Sequence, residues 1–179
     1  MRRVVAYELV SLDGVAESPD SFLFDFDEVM HDHLREVIEE QDTVLLGRRM
    51  YDEWAAYWPT SDMQPFADFI NAVPKHVVTS TPLTTPWTNA TALDGTSLGA
   101  SVEELKREDG RDIGVHGSID LARSLLRAGL VDELRLVVAP TVAGRGRRLF
   151  EDVDLTRLEL LRSTTSPSGA LLVDYAVRR

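Results

Sequence analysis

The sequence predicts an α/β fold on one mixed sheet, parallel through its early strands and antiparallel at its end. Strand-like and helix-like runs alternate through most of the chain, and glycines stand at several of the strand-to-helix joints. The last third then carries strand-like runs with no helix between them, the mark of antiparallel pairing.

The elements follow in order. Arg3 to Val10 is an apolar run suited to a buried strand, ended by Ser11-Leu12-Asp13-Gly14, whose Asp-Gly pair signals a turn. A loop continues to about Asp27. From Glu28 to Gln41, Met30, Leu34, Val37 and Ile38 recur at helical spacing, with Asp25 and Glu28 resembling a capping box. Thr43 to Leu46 is a short buried strand, and Gly47 opens a second helix carrying Met50, Tyr51, Trp54 and Ala55 until Pro59 stops it. A short helix near Pro65 to Ala72, a strand His76 to Thr79 and a weaker strand Ala90 to Leu93 come next. Ser101 with Glu104 reads as the capped start of a helix that Gly110 closes. The pattern then recurs: strand Asp112 to Val115, turn His116-Gly117-Ser118, and helix Ile119 to Ala128 ended by Gly129. Glu133 to Ala139, Leu158 to Ser163 and Ala170 to Val177 are the final strands, the last two joined by Ser166-Pro167-Ser168-Gly169.

With 179 residues and 44% hydrophobic content, the expectation is one domain over 1–179, burying roughly two-thirds of the unfolded chain's surface. No repeat or linker divides it. The absence of cysteine excludes disulfides, thiolate nucleophiles and sulfur-ligated metals. Nineteen basic against thirty acidic residues give a formal net charge of -11, which disfavours nucleic acid and anionic membranes. No stretch is long and apolar enough for a membrane span or signal peptide, so a cytoplasmic location is expected.

Against this acidic background the positive charge is almost all arginine, dense at Arg48-Arg49 and at Arg145, Arg147 and Arg148. Gly47 ends a buried strand where a helix begins, so the helix's free amides and Arg48 and Arg49 make an anion site by geometry. Gly117 and Ser118, before Ile119, make a second: the glycine lets a ligand approach the backbone, and the serine either caps the helix or binds a phosphate oxygen. Thr79-Ser80-Thr81 is a third strand end. Together these suit an extended ligand with several phosphates at the edge of an open sheet. No G-x-G-x-x-G, Walker loop or Gly-x-Ser-x-Gly elbow is present. His31 and His33 diverge by about 200° on a helix, so no metal is expected there, and both are read as solvent-facing.

The order of Ser11-Leu12-Asp13-Gly14, Leu45 to Tyr51, Trp58-Pro59, Val78-Thr79-Ser80, His116-Gly117-Ser118, Gly129 to Leu134 with Pro140, and Gly144 to Phe150 resembles the dihydrofolate reductase-like family. The likeness is closest to stand-alone bacterial proteins related to the reductase domain of the riboflavin-biosynthesis deaminase-reductase. It implies a three-layer dihydrofolate reductase-like fold, a mainly parallel mixed sheet ending in an antiparallel hairpin, NADPH as hydride donor and a homodimer. By resemblance, Gly47, Arg48, Arg49 and Met50 hold the adenosine 2'-phosphate and pyrophosphate, and Thr79 and Ser80 lie at the adenosine. Gly117, Ser118 and Ile119 form the second pyrophosphate clamp, and Gly14 lies in the loop over the nicotinamide.

The implied activity is hydride transfer to a small heterocycle, pterin-like or ribosylamino-pyrimidine-like, as in 5-amino-6-(5-phosphoribosylamino)uracil reductase or dihydrofolate reductase. The substrate side departs from both relatives. The lysine that the riboflavin reductase domain carries in its first strand is Tyr7 here. Asp13 is the leading candidate for positioning substrate or assisting proton delivery. Asp27 and Asp25 are candidates for the substrate acid of dihydrofolate reductase and equally for a helix N-cap. Phe22, Phe24, Phe26, Trp54 and Trp58 are available to stack on a flat ring, although Trp54 also sits at core spacing. The competing expectation is a dinucleotide-binding or sensor module without turnover. The role of Arg145, Arg147 and Arg148 stays open.

Overall fold

A computed structural model describes residues 1–178. Eight strands form one sheet in the order β4-β3-β2-β5-β1-β6-β8-β7. They are β1 (Val4–Ser11), β2 (Gln41–Gly47), β3 (Lys75–Thr79), β4 (Ala90–Asp94), β5 (Asp112–His116), β6 (Glu133–Ala139), β7 (Arg157–Thr165) and β8 (Leu171–Arg178). The first six are mutually parallel, while β8 pairs antiparallel with both β6 and β7. The helices are α1 (Glu28–Glu39), α2 (Arg48–Tyr57), α3 (Phe66–Ala72), α4 (Leu98–Arg107) and α5 (Ile119–Arg127).

Alternation along each strand sends side chains to two helical layers, making the three layers that the family resemblance implies. Val4, Ala6 and Val10 of β1 pack with α4 and α5 on one face. Tyr7 of β1 and Leu46 of β2 pack with α1, α2 and α3 on the other. The crossover from β2 leads outward to β3 and that from β5 leads the other way to β6. Their carboxyl ends therefore diverge and leave a crevice, the place where open α/β sheets take ligands. Among the described residues no helix is long and apolar enough to cross a membrane.

Four local expectations are corrected. Helix α1 stops at Glu39, and Gln41 already belongs to β2. Its cap is Asp27, whose carboxylate accepts from the Met30 amide, rather than Asp25. Ser101 lies inside α4, because Asp94 accepts from the Thr96 amide and a 3-10 turn at Gly95–Ser97 runs directly into the helix. His33 is buried and not solvent-facing: Met30, His33, Leu34, Val37 and Ile38 form one buried stripe of α1. There His33 Nε2 lies 2.8 Å from Asp174 Oδ1, while His31 turns away to pack on Phe26.

Candidate functional site

The crevice holds a groove of about 330 Å³ lined by Gly47, Arg48, Arg49, Met50 and Gly117 to Leu121, among others. Two helices open into it, and neither has a side-chain cap. The N-cap of α2 is Gly47, with no acidic residue in the first turn, and that of α5 is Ser118. The free first-turn amides of both helices, and the positive ends of their dipoles, are thus available to an anion. Ser118 is not idle, since its Oγ accepts from the Gly47 amide at 3.1 Å and ties the two turns together.

Gly117 has φ of +61°, and a Cβ there would meet Trp54 Cζ2 at 3.0 Å and Met50 Cε at 3.4 Å. Backbone conformation and space both ask for glycine. Behind the turn, Trp54, Trp58, Phe66 and His116 form a continuous aromatic group: Trp54 contacts Trp58 and Phe66, and Phe66 contacts both Trp58 and His116. Burial pushes the His116 imidazole down to about 3, so it is neutral, with Nε2 at 2.7 Å from Gln41 Oε1. Glycine at 114 leaves the room for that contact, because a Cβ there would lie 2.1 Å from Gln41 Oε1.

The arginines divide their work. Arg48 Nε is held by the Asp52 carboxylate at 2.9 and 3.0 Å, and Nη1 donates to Thr79 Oγ1, Thr81 Oγ1 and the Thr81 and Pro82 carbonyls. Arg48 and Thr79 are therefore brought together at the β3 end of the groove, with Ser80 exposed beside them. Arg49 reaches outward to Glu53 at 3.1 Å. Arg147, unassigned from sequence, lines the groove and bridges Glu17 and Asp120, both at 2.9 Å. Those partners are 130 and 27 positions away, so no local pattern could point to it.

Asp13 and Asp27 are each tied to a different element. Asp13 accepts from the Ser11 hydroxyl and from the amides of Ala143 and Gly144, which hold its carboxyl down at about 2. It stays ionised at neutral pH, and it clamps the 141–148 loop against the turn at Gly14, where φ is +83°. Asp27 accepts from Met30 N and from Ser168 N at 3.0 Å. Burial raises its carboxyl, but the Ser168 and Met30 hydrogen bonds outweigh this and leave it lowered. Of the remaining aromatic candidates, Phe22 is buried and Phe24 is exposed.

The RibD C-terminal domain matches residues 2–172. The chain belongs to this family. Two full-length relatives from Bacillus subtilis are the uncharacterized proteins YyaP, 29% identical with 97% of this chain and 94% of the relative covered, and YwjB, 28% identical with 97% of each covered. A putative riboflavin biosynthesis protein from Shewanella has the same fold at TM-score 0.71 and 15% identity over 99% of both chains. The Thermotoga maritima deaminase/5-amino-6-(5-phosphoribosylamino)uracil reductase superposes at TM-score 0.69 and 13% identity, covering 99% of this chain and 57% of the larger enzyme. The RibD C-terminal fold, dihydrofolate reductase-like with its antiparallel end, is thus the fold of this protein.

Proposed function

We propose that this RibD C-terminal domain protein is an NADPH-dependent reductase passing a hydride to a small planar heterocycle, pterin-like or ribosylamino-pyrimidine-like. One observation carries the reading: the hydrogen bond from the Gly47 amide to Ser118 Oγ sets two uncapped helix N-termini at one groove. A dinucleotide pyrophosphate fits such a pair of positive ends, flanked by arginines and by a glycine that lets it reach the backbone.

When bound, NADPH supplies the hydride. The chain's part is to bind, orient and exclude water. The first-turn amides of α2 and α5, with Gly47, Gly117, Ser118 and Ile119, take the pyrophosphate. Arg48, positioned by Asp52, and Thr79 and Ser80 take the adenosine end with its 2'-phosphate, while Arg49 adds charge at the rim and Met50 an apolar wall. Gly14 allows the Asp13 clamp to fold the 141–148 loop over the nicotinamide end. Trp54, Trp58, Phe66 and neutral His116 keep the reacting end dry. Asp13, ionised and fully bonded, orients the loop and donates no proton, and Asp27 is a helix cap. A homodimer belongs to the same reading: all nine residues of the edge strand β7 are exposed, Leu158, Leu160 and Leu161 among them.

Titration with NADPH and NADH tests the assignment. Arg48→Ala is expected to weaken NADPH by about ten- to a hundred-fold and NADH by no more than about three-fold, because only the former has the extra phosphate. Equal losses would place the 2'-phosphate elsewhere, and no binding of either dinucleotide by the wild type would end the reading. NADPH oxidation is then followed against pterins, folates and ribosylamino-pyrimidines. A silent panel with binding intact would reassign the protein as a dinucleotide-binding module without turnover.

A further inference from the structure

Glu8 is the one acidic side chain in β1, and it is 2% exposed. Strand β1 pairs with β5 only as far as Tyr7 and His116, while its pairing with β6 continues to Ser11 and Ala139. Glu8 therefore stands at the first position past the end of β5, where the chain turns through Gly117 and Ser118 into α5. By alternation its side chain shares a face with Ala6 and Val10, which pack with α5. The Gly117 backbone lies close enough to lower its carboxyl, and Oε1 has no hydrogen-bond partner among the described residues.

A leucine would fill a strand interior of this kind at no electrostatic cost, whereas a buried carboxyl without a counter-ion opposes folding whenever it is ionised. No cation among the described residues offsets it: on α4, which packs on the same face, the buried Lys106 is bound to Asp132 at 2.6 Å. On α5, Asp120 is bound to Arg147, and Arg123 to Glu151. On β5, His116 lies on the opposite face against Gln41. Beside it on β6 is Leu136, and on α2 Arg48 and Arg49 are paired with Asp52 and Glu53. In the loops, Glu17 is paired with Arg147, and Asp13 with the 143–144 amides. Burial, only partly opposed by the Gly117 backbone, raises the Glu8 carboxyl to about 8, so it carries a proton at neutral pH.

We propose that Glu8 is a positioning residue for the Gly117–Ser118 turn and that its proton gates the groove: neutral, it holds a turn that accepts an anionic ligand; ionised, it puts a negative charge in that turn and repels one. This rests on the dinucleotide reading above. Charge repulsion between the ionised carboxyl and the ligand's phosphates is what couples them, and the coupling is reciprocal, so phosphate binding must draw a proton onto Glu8.

The test is calorimetric titration of wild type and Glu8→Gln with NADPH and NADH between pH 7 and pH 9, above the range in which a phosphate monoester itself titrates. Wild-type affinity should fall about ten-fold for both ligands across that range while Glu8→Gln stays flat, and wild type alone should take up a proton at pH 8 in buffers of different ionisation enthalpy. Parallel slopes in the two proteins, or equal proton uptake, would overturn the proposal. Thermal unfolding supplies a reading without ligand. A carboxyl raised in the folded state costs increasing stability as pH climbs from its unfolded value to about 8, so Glu8→Gln should gain several degrees over wild type between pH 5 and pH 8. A constant difference would mean that Glu8 is not held protonated. Failure of wild type to bind either dinucleotide at pH 7, with this stability signature intact, would reject the dinucleotide reading and leave the Glu8 titration standing.

Discussion

The two ends of β1 are built on opposite rules. Where β1 begins, charges meet partners: Arg2 bonds Asp42, Thr43 and the Arg111 carbonyl, Arg3 bonds Asp112 and Glu133, and Lys106 meets Asp132 at 2.6 Å. Arg135 closes the group on Glu133 and Glu40. Where β1 passes the end of β5, Tyr7 Oη, Glu8 Oε1 and His116 Nδ1 are buried without partners among the described residues. A buried polar atom left unpaired costs stability; of the six such side-chain atoms among the described residues these three mark the working edge, and the others are on His33, Gln41 and Trp58. The contrast also accounts for the two lysines of an arginine-rich chain. Both are buried: Lys106 belongs to the paired edge, and Lys75 donates to the Ile70 and Val73 carbonyls at 2.8 Å.

The largest effect should come from breaking the paired edge. Arg2→Ala removes a guanidinium whose side chain is 4% exposed and leaves Thr43 and the Arg111 carbonyl without their donor. Truncating one member of such a network costs about 3 kcal/mol or more. Denaturant unfolding should register that loss, while NADPH affinity measured on the folded protein stays at the wild-type value. A matching drop in affinity would mean that the two ends are not independent.

Much of the fold could be read in the chain because its signals are local. Glycines at 47, 117 and 129 mark strand and helix ends, and the apolar spacing of α1 and α5 is unambiguous. What escaped depended on distance or on competition between equivalent local signals. Ser101 and Glu104 look like a capping box, yet Asp94 and the turn after it start α4 earlier. Asp25 and Asp27 are interchangeable as caps in one dimension, and only Asp27 also meets Ser168 across the fold. His33 depends on Asp174 and Arg147 on Glu17, neither visible from neighbours. Glu8 was open to view, since one carboxylate interrupts an otherwise apolar strand, but its meaning needed the point at which β5 ends.

A pair of glycines sharpens the contrast at intermediate size. Gly117 and Gly129 have nearly the same backbone, φ of +61° and +66°, but a Cβ at 117 meets Trp54 and Met50 whereas one at 129 meets nothing within 4 Å. Alanine at either position should cost about 1–2 kcal/mol for the left-handed conformation. Only Gly117→Ala should also raise the NADPH dissociation constant, by about ten-fold, because only that turn faces the groove. Comparable binding losses from both would show that backbone strain, and not the site, governs affinity.

The smallest effect separates a cap from a catalyst. In Asp27→Ala the Met30 and Ser168 amides lose their acceptor, and loss of an N-cap of this kind costs about 1 kcal/mol. Because the carboxylate is held below its usual range by those same bonds, its contribution is present at neutral pH and fades as acid protonates it, below the unfolded value of 3.8. Wild type and Asp27→Ala should therefore differ in stability at pH 7 and converge in strong acid. NADPH binding and any turnover should be unchanged at neutral pH. A loss of kcat with stability intact would instead return Asp27 to the substrate side and move the working edge of the sheet as far as the start of α1.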